Sequence, residues 1–471
     1  MIFTMVNEQR FSNAIAWPTS RLMSWVEEID PVSPWPLLNL AESLGQGWWG
    51  FWTEPERGLV LAAIGAAELV EADEPLPYST LAEHCQSALD RVVVDSGADP
   101  EWATGPVLLG GMRFDPGAPR SQPWTAWPSY CFVLPKWMLT LRRGRAWLTM
   151  NRRAEDEGDG PRLSEAWRAM RRRLAPEDLR RGQSAPRAPD AIPKVCEIAD
   201  PEADRWMAAV RQASSEIARG EYDKVVLARP LQIRASGTWQ RQSVLAHLLT
   251  AESASYGFGF GRGRQMFVGA SPERLVRRQG DQILVTCLAG STCRGESAAE
   301  DEALAHGLLQ DAKNRVEHAL VVDAVASAVR RVADQVHIAP EPVLYRLPNV
   351  WHLYTPVSGH CGSQTSVLTA ASALHPTPAV GGWPQALALE KIRHYEGFDR
   401  GWYGAPVGWV DARGHGELAV AIRSGLLEAD RAWLYTGCGV VGDSDPTSEM
   451  AESRWKLRTM LSALAVDDHE F

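Results

Sequence analysis

The sequence predicts a mixed α/β or α+β fold. Three observations lead there: strand-like and helical runs alternate through the C-terminal half, helical runs are inserted among strands, and simple βαβ repetition is absent. The 471 residues suffice for one large domain or two to three ordinary ones. With 45% hydrophobic and 23% charged residues, the composition is that of a soluble globular protein with a sizeable core.

In chain order, 58–72 reads as an apolar helix or buried segment, and Leu108–Phe114 as a strand broken by Gly110-Gly111. Trp124–Leu134 is aromatic and strand-like. No titratable cluster occurs in this part, which points to a scaffold. The stretch 174–192 holds Ala175-Pro176, Ala185-Pro186 and Ala188-Pro189 among Arg and Gln. Prolines at that density oppose both helix and central strand. This connector therefore ends an N-terminal scaffold region, 1–190, and the chemistry is expected in 191–465. There, 204–219 reads as helix and Lys224–Ile233 as strand. Gly257–Gly261 alternates glycine with phenylalanine, Met266–Ala270 ends at Ser271-Pro272, and Gln282–Leu288 is a third strand candidate. Glu300–Val336 is a long helical stretch, open to interruption. Glu417–Leu427 and Arg431–Val441 read as strands and Pro446–Leu464 as a last helix.

The formal net charge of −10 argues against a nucleic-acid partner, which needs a Lys/Arg surplus. The seven cysteines are odd in number, widely spaced and without a CxxC, against a disulfide framework or structural zinc. Neither a leader-like start nor an 18-residue apolar window occurs, so the expected location is the cytoplasm, away from membranes. The 20 tryptophans read as core packing.

Candidate chemistry lies in the C-terminal half. Glu317 precedes Leu320, Val321, Ala324, Val325 and Ala328 on a helical stripe, with Asp323, Ser327 and Arg330 on the opposite face. A carboxylate on such a stripe needs an ion-pair partner, for which Lys313 is one turn away, or a metal. On the last helix Asp445-Pro446 reads as N-cap and N1, and Glu449, Glu452 and Lys456 share one face. Two acids so placed can hold a hard cation such as Mg²⁺, or can simply form a solvated face. Gly437-Cys438-Gly439 lies between strand and helix, where backbone N–H groups can approach an anion or form a plain turn. Arg423, in an apolar strand, calls for a carboxylate partner. Lys224 shares a strand face with Val226 and Ala228; desolvation there suits a general base, whereas a strand-end lysine can also reach water. Glu273, just after a strand, is a general acid or a turn residue. Gly257–Gly261 does not fit a dinucleotide fingerprint. His318, His352 and His375 are possible ligands or structural histidines.

In combination these segments resemble one family. Lys224–Arg229 (KVVLAR), Ser271–Leu275 (SPERL), Leu288–Ser291 (LAGS) and Lys313–His318 (KNRVEH) come first. They are followed by His352–Gly359 (HLYTPVSG), His375–Gly382 (HPTPAVGG), Gly401–Gly404 (GWYG), Ala421–Ser424 (AIRS) and Gly437–Lys456. The set, over about 200–460, resembles the chorismate-utilising enzymes, the isochorismate synthase branch best. Gly110-Gly111 resembles a glycine pair in the family's less patterned N-terminal part.

The resemblance implies two antiparallel sheets packed as a sandwich, helices outside, and a site in a cleft between lobes. It implies Mg²⁺ on Glu317 and Glu452 with Glu449 beside them, neutralising the ring carboxylate of chorismate. Tyr403, Arg423 and the backbone of Gly437, Cys438 and Gly439 would take the enolpyruvyl carboxylate. Gly290 and Ser291 would line the ring site, His352 would bind substrate, and Lys456 would lie at the metal end. Lys224 would be the base for a water attacking C2, and Glu273 the acid for the departing 4-hydroxyl, giving isochorismate for menaquinone or siderophore synthesis. Ammonia-using relatives lack a lysine at the position of Lys224, so no glutamine amidotransferase subunit is expected, and a monomer is. Ala289 stands where aminodeoxychorismate synthases typically carry a lysine. Ser291 replaces a usual threonine and Cys438 a usual alanine. Salicylate synthase, which shares the lysine, acid and metal set, is the nearest rival, followed by an ammonia-dependent relative. A non-catalytic subunit would be expected to have lost one of these groups.

Overall fold

Strands dominate the structure, a computed structural model that describes residues 22–74, 77–95, 103–153, 160–174, 193–347 and 350–466. The first part runs β1 (Leu22–Ile29), α1 (Trp35–Ser43), β2 (Trp48–Glu54), β3 (Leu59–Ala72), α2 (Tyr78–Asp90), β4 (Val92–Asp95), β5 (Val107–Met112), β6 (Tyr130–Arg142), β7 (Arg145–Arg153) and α3 (Gly160–Leu174). The second part begins β8 (Val195–Ala199), α4 (Ala203–Ala218), β9 (Lys224–Ala235), α5 (Arg241–Ala251), β10 (Tyr256–Arg262), β11 (Gln265–Ser271), β12 (Arg274–Gln279) and β13 (Gln282–Cys293). It continues α6 (Ala298–Gln310), α7 (Ala312–Val329), β14 (Asp334–Ile338), β15 (Val343–Arg346), β16 (Val350–His360), α8 (Val367–Leu374), β17 (Gly382–Trp383) and α9 (Gln385–Tyr395). The last elements are β18 (Pro406–Asp411), β19 (Gly416–Val420), β20 (Ser424–Glu428), β21 (Arg431–Val440) and α10 (Pro446–Ala463).

The ladders, nearly all antiparallel, form two sheets joined through β6. One runs β1–β7–β6–β3–β2–β10–β11–β20–β21–β9. The other leaves β6 through β5 and runs β18–β19–β12–β13–β16. Strands from before residue 154 and after residue 193 thus interleave: β2 pairs with β10 and β5 with β18. The faces meet over a core of Trp52, Leu61, Phe258, Phe267, Leu426 and Tyr435 from the first sheet and Val107, Leu109, Val407, Trp409 and Ala419 from the second. Two sheets that each bury one face are expected to pack in this way. Trp52, Trp124, Trp147, Trp402 and Trp409 are fully buried, in keeping with a packing role for the tryptophans.

Several elements differ from the sequence reading. Residues 59–72 form a strand, not a helix. They pair along their length with β6 and over 59–64 with β2, and the first half, 59–65, is almost wholly buried and so loses the alternation that marks a half-exposed strand. The 300–336 stretch divides at Asp311, which caps the second helix by accepting from Asn314 N–H, and its end turns into β14. Trp124–Ala126 is a single 3₁₀ turn, and the strand starts only at Tyr130. The 417–427 strand is two strands broken at Ala421–Arg423, where Arg423 has φ of +51°. Leu174 is the last residue of α3, and the rest of the proline-rich connector lies outside the described residues.

Candidate active site

Strand β9, helix α7, the β13 bulge, the β19–β20 break, the end of β21 and the first turns of α10 converge on one cavity. It measures about 970 Å³ counted to its open mouth. Lys224, Glu273, Gly290, Ser291, Glu317, His352, Tyr403, Arg423, Gly437, Gly439, Glu449, Glu452 and Lys456 all line it. Cys438 stands behind the wall, its thiol donating to the carbonyl of Glu449 at 3.3 Å.

Lys224 opens β9 and is 1% exposed, so it does not reach bulk water. Its Nζ lies 2.7 Å from Oε1 of Glu317. The partner of Glu317 is therefore Lys224 rather than Lys313, whose Nζ instead lies 3.8 Å from Glu449 and 3.9 Å from Asp443. The helical stripe is as the spacing indicates: Val321, Val325 and Ala328 are buried, and Asp323, Ser327 and Arg330 are exposed. Burial works against the charge of Glu317, but Lys224, with Lys456 and Lys313 behind it, holds its carboxyl below the usual value. Gly439 makes this pairing possible, since a Cβ there would sit 2.8 Å from Lys224 Cε and 3.0 Å from Glu317 Oε1.

Glu273 is buried after the end of β11, with its N–H on the Ser271 hydroxyl. Burial raises its carboxyl to about 8, although Lys224 and Arg423 pull the other way. It is thus a protonated acid at neutral pH. Helix α10 begins as its sequence foretells, with Asp445 accepting from Ser448 N–H at 2.9 Å. One turn later Glu449 is pushed up to about 7, first by burial and then by neighbouring Glu452. Glu452 pairs with Lys456 at 2.6 Å. Glu317, Glu449 and Glu452 therefore each face a lysine.

This donor set fits Mg²⁺, which prefers a few carboxylate oxygens and keeps water in its remaining positions. The thiol of Cys438 lies within 4.8 Å of the Glu449 and Glu452 oxygens. A soft sulfur is a poor magnesium ligand, and burial holds this one protonated.

Anion-binding groups line the same cavity beside these acids. Arg423 projects from the left-handed break between β19 and β20. Burial draws its pKa down, and no carboxylate among the described residues comes within ion-pair distance. Gly437 and Gly439 face Ala228 and Val226 in the ladder. Ala228 N–H donates to Glu396 (2.7 Å) and Val226 N–H to the Gly381 carbonyl (2.9 Å). The two glycine amides are thus at the positions turned away from β9, on the side where β20 has stopped pairing at Tyr435. The Gly437 carbonyl on that side accepts from Lys456 at 3.1 Å. Tyr403 stacks on Tyr435, ring centroids 5.3 Å apart. His352 Nδ1 lies 3.0 Å from the Ser291 hydroxyl. Burial, with Arg423 and Lys456 nearby, lowers the imidazole to about 3, so it is neutral.

His318 and His375 are structural. His318 bridges the Ala289 carbonyl (3.1 Å) and the Thr355 hydroxyl (2.7 Å), and His375 bonds the Phe114 carbonyl. The sequence reading passed over Asn314, Ile422, Ala379 and Val380, which also line the cavity. Asn314 stood within the KNRVEH segment; the others carry no chemical signal of their own.

A family profile described as chorismate binding enzyme matches residues 9–465. The chain belongs to the chorismate-binding enzymes. It is 36% identical over 448 residues to isochorismate synthase MenF of Bacillus subtilis, covering 94% of this chain and 93% of that one. It is also 36% identical over 441 residues to the salicylate biosynthesis isochorismate synthase of Pseudomonas aeruginosa, covering 93% and 89%. Among solved structures, a putative 2,3-dihydroxybenzoate-specific isochorismate synthase, DhbC, from Bacillus anthracis superposes with a TM-score of 0.70 at 28% identity, over 91% of this chain and all of that one. The menaquinone-specific isochorismate synthase MenF of Escherichia coli gives 0.77 at 22% identity, over 98% and 100%, which bears on the fold. The mixed α/β chorismate-utilising fold expected from the sequence is therefore the one observed. No helix among the described residues is long and apolar enough to cross a membrane.

Proposed function

We propose that this chorismate-binding enzyme is an isochorismate synthase, converting chorismate to isochorismate with Mg²⁺ and without ammonia. The observation that carries the reading is the pairing, in one cavity, of a fully buried lysine with a carboxylic acid kept protonated to about 8. Buried groups of opposite protic character are what simultaneous water activation and leaving-group protonation require. Lys224, in its neutral amine form, takes a proton from water, whose oxygen bonds to C2. The ring double bonds move from C1–C2 and C5–C6 to C1–C6 and C4–C5. As the C4–C5 double bond forms the C4–O bond breaks, and Glu273 gives its proton to the departing oxygen, which leaves as water. One water enters and one leaves, so the reaction is an isomerisation.

Arg423, Tyr403 and the Gly437 and Gly439 amides hold the enolpyruvyl carboxylate. Gly290, Ser291 and His352 line the ring. Glu317 and Glu452, with Glu449 beside them, would hold Mg²⁺, whose charge would neutralise the ring carboxylate. Lys456 fixes Glu452 and the Gly437 carbonyl. The chain acts as a monomer without an amidotransferase subunit, in the cytoplasm, and its product supplies menaquinone or siderophore synthesis.

The test is product analysis. Pure protein is incubated with chorismate and Mg²⁺, without ammonia, and the products are separated by liquid chromatography with mass detection. A mixture of chorismate and isochorismate is expected. Salicylate and pyruvate would assign the rival reaction to the same groups. An aminated product formed only with added ammonia would overturn the role given to Lys224.

A further inference from the structure

Strand β13 carries one residue more than its partner where it crosses the cavity. Ala289 stands opposite Leu353 and Ser291 opposite His352, so Gly290 bulges out of register with φ of +78°. A bulge frees a backbone N–H and bends the strand, so something must fix the direction of the side chain that follows.

Helix α7 supplies two staples. On one side of the bulge His318 Nδ1 meets the Ala289 carbonyl at 3.1 Å. On the other, Asn314 Oδ1 accepts from Ser291 N–H at 3.2 Å. Asn314 is itself oriented, since its Nδ2 donates to Asp311 Oδ1 at 2.7 Å and its backbone N–H to the same oxygen at 2.8 Å. That contact fixes which end of the Asn314 amide faces β13. Packing repeats the constraint: a Cβ at Gly290 would lie 3.1 Å from Asn314 Oδ1. The chain of contacts ends in the cavity. Ser291 Oγ lies 3.0 Å from His352 Nδ1, the Gly290 backbone also approaches the imidazole, and Nε2 of this buried histidine makes no hydrogen bond of good geometry among the described residues. An imidazole nitrogen buried in the cavity wall without a good protein hydrogen bond is poised for a substrate atom.

We propose that Asn314 is a positioning residue: through the Ser291 amide it holds the Ser291 hydroxyl against His352 Nδ1, and so fixes the tautomer and orientation of the imidazole edge that meets the ring of the substrate. The activity arm rests on the isochorismate synthase reading; the spectroscopic arm does not.

The experiment combines Asn314→Ala, Ser291→Ala and the double variant. In chorismate turnover each single variant is expected to lose on the order of tenfold in kcat/KM, the scale of one hydrogen bond. The double variant is expected to be no worse than the poorer single one, because both act through one path. With ¹⁵N-histidine labelling, and His352 assigned by His352→Gln, wild type should show one fixed His352 tautomer. Both single variants should shift it toward an averaged signal. Asn314→Leu, near-isosteric, replaces the alanine variant if that chain does not fold. Multiplicative losses in the double variant, or a His352 signal unmoved in the Asn314 variant, would overturn the proposal. If the chain instead proves to make a different product, the ¹⁵N comparison still decides the role of Asn314.

Discussion

Gly439→Ala isolates the alignment of the proposed base from its chemical identity. The added methyl would stand 2.8 Å from Lys224 Cε, 3.0 Å from Glu317 Oε1 and 3.3 Å from Lys224 Nζ. Ordinary contact begins near 3.4 Å, so the lysine must retreat by about 0.6 Å. The atoms in conflict are the far ends of two side chains rather than backbone, and the fold has little reason to suffer. Misplacing a catalytic group by about 1 Å can cost on the order of 10²-fold in rate. A displacement of this size should therefore lower kcat roughly 10- to 100-fold, by the same scaling. The amide of residue 439 is retained, so KM for chorismate should move by less than about threefold, well under the ~10-fold a lost hydrogen bond produces. Steady-state kinetics without ammonia, paired with a thermal melt, read both quantities. Gly437→Ala is the contrast: there the methyl meets the Leu227 carbonyl at 2.9 Å and Ala228 Cα at 3.2 Å, which are backbone, so stability should fall instead. Unchanged kcat in a folded Gly439→Ala protein, or a loss confined to KM, would refute the placement of Lys224 as base.

Three other perturbations probe separate parts of the site and fold. Because Glu273 must be protonated to act as acid and its carboxyl sits at about 8, kcat should decline as pH rises through that value, and Glu273→Gln should abolish turnover with this limb; a flat profile to pH 9.5 would remove it as the acid. Lys224→Ala should eliminate hydration while chorismate binding by calorimetry stays largely intact, and excess EDTA should stop turnover in wild type until Mg²⁺ is restored. Glu54 is fully buried, neither carboxyl oxygen has a hydrogen-bond partner among the described residues, and burial with Glu417 nearby raises it from 4.5 to about 7. Its neutral form stabilises the fold below pH 4.5, and that advantage is lost as pH climbs to about 7. Glu54→Gln should thus gain on wild type by up to about 3 kcal/mol between pH 5 and 8 in chemical denaturation; a constant difference across that range would contradict it.

The order of chemically distinctive segments was legible before any coordinates. KVVLAR, SPERL, KNRVEH and AIRS each carry a residue whose side chain is costly to bury without a purpose, and their succession along the chain marked the family. Local rules also sufficed where the chain answers only to itself: the Asp445-Pro446 cap of α10, the apolar stripe of α7 and the glycine–aromatic strand β10 follow from neighbouring residues. Tertiary structure decided what depends on distant partners. Residues 59–72 are a strand because β2 and β6 lie on either side, and apolar composition by itself fits a buried helix equally well. Glu317 pairs with Lys224, 93 positions away in sequence, in preference to Lys313 four residues back, because β9 brings the lysine onto its face of the helix. Glu273 becomes an acid, and His352 a neutral imidazole, only when burial strips their water. Sequence states which groups are present and in what order; protonation, pairing and direction are set by desolvation and by neighbours that only the folded chain assembles.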